Sequence, residues 1–258
     1  MDNENIIIKS FNGLNYLQFK VLNDLGIKHA YTLKSEGFDF GHNTKEEEYS
    51  YEILCNALNI EKTTLVKPFQ THTANAKCIS SLDGDLNDVD GLITDKKDIA
   101  ITSKNADCIL FLFYDPIKKV IANIHSGWRG TFQKIAEKTV IKMISNYGSK
   151  PEDIICCVCP SIRECHFEVD DDVKDLCLDI FEFTGKKDEF IKLGELKEGK
   201  QKYLIDTVKI NRIMLEELGL KKENIIDCNI CSVCNKEFIH SVRVEGKNYK
   251  RATAIITL

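Results

Sequence analysis

Nowhere does this 258-residue sequence string together the roughly 18 apolar residues that a membrane-spanning helix needs. Its longest apolar stretch, residues 108–114, has the length of a buried strand. The start, MDNENIIIKS, lacks the basic and apolar parts of a secretory signal, so a cytoplasmic location is expected. Basic excess is missing as well. Thirty-five Lys and Arg stand against 40 Asp and Glu, a net charge of −5 with the signs interspersed. No nucleic-acid partner is expected from such a balance, and no membrane partner from the absence of a span. Only four prolines are present, scattered, and no linker, repeat or low-complexity segment interrupts the chain. Residues 1–258 therefore read as a single domain, and 43% apolar residues suffice for a sizeable core.

Cysteine, by contrast, is plentiful: eleven, an odd number. Without a signal, a disulfide framework is not expected. Free cysteine packs as a small hydrophobe, so Cys156, Cys157, Cys159 and Cys165, and likewise Cys228, Cys231 and Cys234, read as packed, reduced thiols. The C-x2-C-x2-C spacing of the last three raises an iron–sulfur or second zinc site as the alternative. Alternate residues of a strand face opposite ways, so convergence does not follow from spacing.

Strand-like and helix-like segments alternate. Residues 44–60 predict a helix, with Thr44 and Glu47 as a capping box. Strands are predicted at 64–67, 76–79, 91–94, 99–102, 108–114 and 120–125. The apolar spacing over 130–147 predicts one helix. A strand at 154–159 follows, then helices at 170–183 and 206–218, and closing strands at 241–245 and 252–258. The charge-rich stretch 186–202 reads as a solvated face or mobile loop. The class is α/β, or α+β, with mixed β-sheets layered with helices.

Three segments break the structural pattern: PFQTHTANA with His72, SKNADCILFLFYDP with Asp107 and Cys108, and IHSGWRGT with His125. In the third, glycines flank Trp128-Arg129 where a strand ends and a helix begins. A helix start and an Arg fork make an anion site; the alternative is a glycine-flanked turn with a solvated Arg. His72, Cys108 and His125 each lie at the edge of a strand-like run. Two imidazoles and one thiolate form a known catalytic zinc set, with one position left open, and the same set suits copper. Packed side chains remain the alternative, since no short spacing ties the three together.

QTH, DVDGLIT, NADC, YDP and IHSGWRGT, in this order, resemble the YfiH-like family, also called the laccase-domain or polyphenol-oxidase-like family. The resemblance runs from about His29 to the C-terminus and includes PSIRECHFEV, Cys231 in NICSVC, and HSVR. It implies two mixed sheets sandwiched between helices, distantly like cytotoxic necrotising factor. It implies zinc on His72, Cys108 and His125, with copper the less favoured ion. It also implies phosphorolysis of adenosine, inosine and methylthioadenosine, plus adenosine deamination, so the partners are a small nucleoside and phosphate. Arg129 would then hold phosphate; Asp107 would move a proton or orient a ligand; Gln70 would bond the purine or orient His72.

Several positions depart from the family pattern: Lys34 where Arg is usual, Asp39-Phe40-Gly41 for Asn-Leu-Gly, Cys159 for Gly, and Val244 where a second Arg commonly follows Arg243. Lys34, Arg129 and Arg243 are the candidate substrate-binding residues. Three other functions compete. A multicopper laccase calls for His-x-His pairs, and none of the six histidines lies two from another. A Cys-His amide hydrolase would use Cys108 as nucleophile and His125 as base, as in a peptidoglycan-editing member. A non-enzymatic metal or redox sensor would rest on the cysteine clusters.

Overall fold

The computed structural model describes residues 4–181, 185 and 187–258. Its strands run β1 (Ile6–Phe11), β2 (Leu14–Phe19), β3 (Lys28–Thr32), β4 (Leu65–Val66), β5 (Ala76–Cys78), β6 (Gly91–Thr94), β7 (Ala100–Asn105) and β8 (Ile109–Asp115). They continue with β9 (Val120–Ser126), β10 (Ile155–Val158), β11 (Glu168–Val169), β12 (Ile191–Lys197), β13 (Lys200–Ile205), β14 (Ile225–Asp227) and β15 (Ala252–Thr257). The helices are α1 (Lys20–Asp24), α2 (Glu47–Leu58), α3 (Trp128–Phe132), α4 (Ile135–Tyr147), α5 (Asp171–Phe181), α6 (Lys187–Phe190), α7 (Thr207–Glu217) and α8 (Val242–Glu245). None is long and apolar enough to cross a membrane.

Two six-stranded mixed sheets, ordered β1-β2-β3-β15-β7-β4 and β14-β10-β8-β9-β6-β5, face each other. Period-2 alternation builds the layers. Leu110, Leu112, Tyr114, Ile121 and Cys157 meet Leu17, Tyr31, Ile101, Ala254 and Ile256 between the sheets. Ile109, Phe111, Phe113, Ala122 and Ile124 turn outward onto α4 and α7. On the other side Leu14, Tyr16, Ala30 and Ile255 pack on α2. With both faces covered, β8 and β9 are buried at every residue. Asn123 ties the sheets across this core: its amide donates to Ile101 O (3.1 Å) and Ala254 O (2.9 Å). A small third sheet, β11-β13-β12, joins α5 and α6 beside this body.

Four expectations are corrected. The helix expected over 130–147 is two, because Lys134 adopts φ 63° and breaks the ladder between α3 and α4. The strand expected over 241–245 is α8: Glu245 N–H donates back to Ser241 O, and β15 already has partners on both edges. The stretch 191–205 is a hairpin whose two-residue turn, Glu198-Gly199, has both φ positive, as right-handed strand twist requires. No capping box forms, since α2 begins at Glu47 itself and its carboxylate accepts from Asn43 N, Lys67 and Lys104 rather than from Thr44 N. Of the helix expected over 170–183, α5 accounts for Asp171–Phe181; residues 182–183 and Lys186 lie outside the described residues.

Candidate active site

β7, β8 and β9 bring their ends to one edge of the sandwich, where the chain crosses from the first sheet to the second through Ala106–Cys108. Register pairs Ile109 with Ser126, so Cys108 faces Gly127 across the ladder end. Asn105 holds the crossing in place: its amide donates to Cys108 O (2.5 Å) and Pro160 O (3.1 Å), and it accepts from the Tyr31 hydroxyl (3.0 Å).

The donor atoms of His72, Cys108 and His125 lie within 4.8 Å of one another, and Cys108 Sγ is 3.8 Å from His72 Nε2. His125 lies on β9 and is buried, whereas His72 is carried by the exposed loop before β5. One buried carboxylate assembles them. Asp90 Oδ1 accepts from His125 Nδ1 (2.8 Å) and from the His72 N–H (3.1 Å). Its Oδ2 accepts from Thr73 N (2.7 Å), Thr73 Oγ1 (2.7 Å) and Thr71 N (3.3 Å). His72 is thereby held at φ 66°, a left-handed conformation costly to a residue with a Cβ. With Nδ1 spent on Asp90, His125 presents Nε2 to the cluster, the arrangement by which a carboxylate orients an imidazole ligand.

Electrostatics favour the ligand-competent thiolate. Burial pushes the Cys108 thiol up, but the charge and hydrogen bonds of His125 and His72 outweigh it and bring it down to about 6. Burial would lower His125; the Cys108 charge and the Asp90 bond raise it instead to about 9. Burial likewise pushes Asp90 up, and hydrogen bonds from His125 and Thr73 more than offset it, leaving the carboxyl below its usual range. Gly127 completes the fit. A Cβ there would stand 2.8 Å from His72 Cδ2 and 3.2 Å from Cys108 Sγ.

His72, Ala106, Cys108 and Val242 line both of two adjoining cavities. The first, about 440 Å³, is walled by Ile109, Trp128, Ile162, Phe167, Asp107 and Arg243. The second, about 330 Å³, is walled by His42, Phe69, Gln70, Lys104, Tyr249 and Arg251. Lys104 is 4% exposed; burial pushes its ammonium down to about 8 against the pull of Glu47, with Lys67 and Arg251 adding to the fall. One carboxylate, Glu47, thus serves Lys104 and Lys67, each at 3.3 Å. With Arg251 nearby, this half carries an excess of positive charge.

The remaining candidates scatter. Asp107, at φ 87°, accepts from Ser232 Oγ (2.6 Å) and Arg243 N (2.8 Å), so both its oxygens tie the cavity wall together. Gln70 spends its amide on the backbone of Lys104, donating to O (2.9 Å) and accepting from N (2.8 Å). Arg243 lines the first cavity and donates to His166 O (3.0 Å). Arg129 is exposed and stacks on Trp128, 4.1 Å from the ring, outside both cavities, and the helix behind it is only five residues long. Lys34 also lies outside them, donating to Glu245 Oε1 at 2.5 Å. Asp90, Asn105, Lys104 and Arg251 were not singled out in the sequence, and Gly127 was read only as a turn glycine beside Trp128-Arg129. Asp90 and Asn105 sit inside DVDGLIT and NADC, so the signal lay within motifs already noted. The cysteines divide: Cys156, Cys157, Cys159 and Cys228 are buried, whereas Cys165 and Cys234 are exposed and come together with Cys231 and His166.

Residues 27–258 match the family model described as multi-copper polyphenol oxidoreductase laccase. A purine nucleoside phosphorylase of Clostridium acetobutylicum is 31% identical over 252 residues, 96% of this chain and 98% of that one. The LACC1 purine nucleoside phosphorylase of Mus musculus is 32% identical over 179 residues, 66% of this chain but 38% of that longer protein. The crystal structure of Bacillus licheniformis hypothetical protein YfiH superposes with a TM-score of 0.85 at 23% identity, covering 97% of this chain and 98% of that one.

Proposed function

This chain belongs to the YfiH-like family of multi-copper polyphenol oxidoreductase laccase domains, and from that premise we propose that it is a zinc-dependent purine nucleoside phosphorylase of the cytoplasm. Its substrates are adenosine, inosine and methylthioadenosine, with adenosine deamination as a second reaction. The observation that carries this reading is the position of the His72–Cys108–His125 set at the junction of an apolar cavity and a cation-lined one. A purine nucleoside plus phosphate has just that division: a flat, mostly apolar base, a sugar, and an anion.

The base stacks between Trp128 and Phe167, both in the first cavity. Phosphate lies against Lys104 and Arg251 in the second. The ribose C1′ then falls at the shared wall. A phosphate oxygen bonds to C1′ as the C1′–N9 bond breaks; the bonding pair leaves with the base, which takes up a proton. From adenosine and inosine the products are ribose 1-phosphate and free purine; from methylthioadenosine the sugar phosphate keeps its 5′-methylthio group. Holding both reactants in adjoining cavities supplies the proximity term of the rate. The anion role thus passes from Arg129 to Lys104 and Arg251, and Asp107 and Gln70 act as braces for the cavity walls. Two imidazoles and a thiolate within one ion's reach suit zinc. When bound, zinc supplies Lewis-acid polarisation at the junction.

The test is chromatography of adenosine and inosine incubated with metal-quantified protein, with and without phosphate, beside Cys108→Ala. Phosphate-dependent release of free base, lost in the variant, is the expected result. No turnover by zinc-loaded protein overturns the reading.

One observation favours a second reading. Cys108, His125 and Asp90 stand in the order of a thiol nucleophile, its base and the carboxylate that orients the base. An amide hydrolase built on them would survive chelation and be abolished by alkylation, whereas zinc ligation predicts loss by both routes.

A further inference from the structure

Among the described residues a second group of donors is as compact as the first. Cys165 Sγ lies 3.6 Å from Cys231 Sγ and 3.8 Å from Cys234 Sγ. His166 Nδ1 lies 3.2, 3.6 and 3.5 Å from the sulfurs of Cys165, Cys231 and Cys234. No disulfide joins any of these cysteines.

We propose that Cys165, His166, Cys231 and Cys234 form a structural Cys3His site for one zinc ion, separate from the set at the cavity junction. The edge lengths carry this assignment. With Zn–S of about 2.3 Å and Zn–N of about 2.0–2.1 Å, a regular tetrahedron has S···S edges of about 3.8 Å and S···N edges of about 3.6 Å. Four of the five distances above fall within about 0.2 Å of those edges, and the fifth, between adjacent residues, is somewhat shorter. Thiols packed only for burial have no reason to adopt tetrahedral edges around a common centre. All four donors lie within 4.8 Å of one another, which leaves room for a single ion and none for a multi-iron cluster. Four protein ligands also fill the coordination sphere, so this site is structural rather than catalytic.

Local chemistry agrees. The C-x2-C pair at Cys231 and Cys234 has a spacing common to zinc sites. Three thiolates and a neutral imidazole around Zn²⁺ leave a net charge of about −1, and the Arg243 guanidinium bonds His166 O at 3.0 Å. Cys165 and Cys234 are exposed, so an ion can enter.

The site staples two loops. One holds Ile162 and Phe167, which wall the first cavity; the other holds Ser232, which anchors Asp107. A bound ion there stiffens the cavity wall without touching substrate.

The test counts metal by mass spectrometry in untagged, reduced protein. Wild type should hold two zinc ions per chain, and Cys108→Ala, Cys165→Ser and Cys234→Ser one each. Metal-free Cys108→Ala given Co²⁺ should still show the intense thiolate charge-transfer and tetrahedral ligand-field bands of a three-thiolate site. Cys234→Ser should weaken them while keeping the ion at the cavity junction, which reports that it is folded. Cys108→Ala that binds neither zinc nor cobalt through thiolates, while circular dichroism shows it folded, overturns the assignment. So does a Cys165–Cys231 disulfide in freshly purified protein.

Discussion

Replacing Asp90 by Asn changes one atom in size and removes the charge around which the proposed metal-ligand set is built. The carboxylate accepts from five donors, two on Oδ1 and three on Oδ2, at complete burial. An amide has two placements. If its oxygen keeps His72 N and His125 Nδ1, its NH2 confronts the N–H groups of Thr71 and Thr73, while the Thr73 hydroxyl can turn to accept. Two orphaned N–H groups at about 1–3 kcal/mol each give a loss of about 2–6 kcal/mol. At 2–4 °C per kcal/mol for a chain of this size, Tm falls by roughly 5 °C or more. If the amide flips, its NH2 faces His125 Nδ1 and forces the proton onto Nε2, the nitrogen that would ligate. Either way zinc affinity drops, by roughly 10–100-fold as for other lost imidazole-orienting partners. Competition with a chromogenic chelator and thermal denaturation measure the two effects. An Asp90→Asn chain with wild-type zinc affinity and wild-type Tm would refute the reasoning.

Gly127→Ala should cost metal affinity at least tenfold with little change in Tm: its backbone, φ −66° and ψ 171°, suits alanine, and what is new is the close approach to two of the three donors' side chains, 2.8 Å to His72 Cδ2 and 3.2 Å to Cys108 Sγ; calorimetric zinc titration distinguishes it from simple destabilisation. Lys104→Met should raise KM for phosphate by roughly 10–100-fold, the worth of one charge-assisted hydrogen bond, and unchanged phosphate saturation would move the anion elsewhere. The same lysine sets a pH dependence. Its pKa is lowered to about 8, so it is charged below that pH and neutral above it; KM for phosphate should climb between pH 7 and 9 in wild type but not in Lys104→Met. In metal-free protein the Cys108 pKa lies near 6, lowered from 9, so the thiolate is present above about pH 6 and lost below it. Iodoacetamide labelling followed by peptide mapping should therefore show Cys108 reacting at pH 7, while Cys156, Cys157 and Cys159, pushed well up by burial, do not. Bound zinc should protect Cys108.

Some of this molecule was legible in one dimension. The unbroken apolar run over residues 108–114 announced a buried strand, and the run over 120–125 a further strand, because the apolar pattern of a segment is a local property. The layered α/β class followed from the alternation of such runs with helical ones. His72, Cys108 and His125 stood out as chemistry at strand edges, within motifs that resemble a known family. Other features depended on partners far along the chain. Whether Val242–Glu245 is strand or helix was decided by β15 having both edges taken, not by its own alternating valines. Lys134 splits a well-patterned helix through its own backbone twist, which no side-chain periodicity records. Asp90 became the organiser of the ligand set because it is buried where three residues of a distant loop need acceptors. Cys165 and Cys234, indistinguishable in sequence from the buried thiols beside them, meet only because two loops 66 and more residues apart close on each other. Local pattern determines what a segment can be; long-range packing decides which donors and acceptors are brought face to face, and chemistry at a site is a matter of those distances.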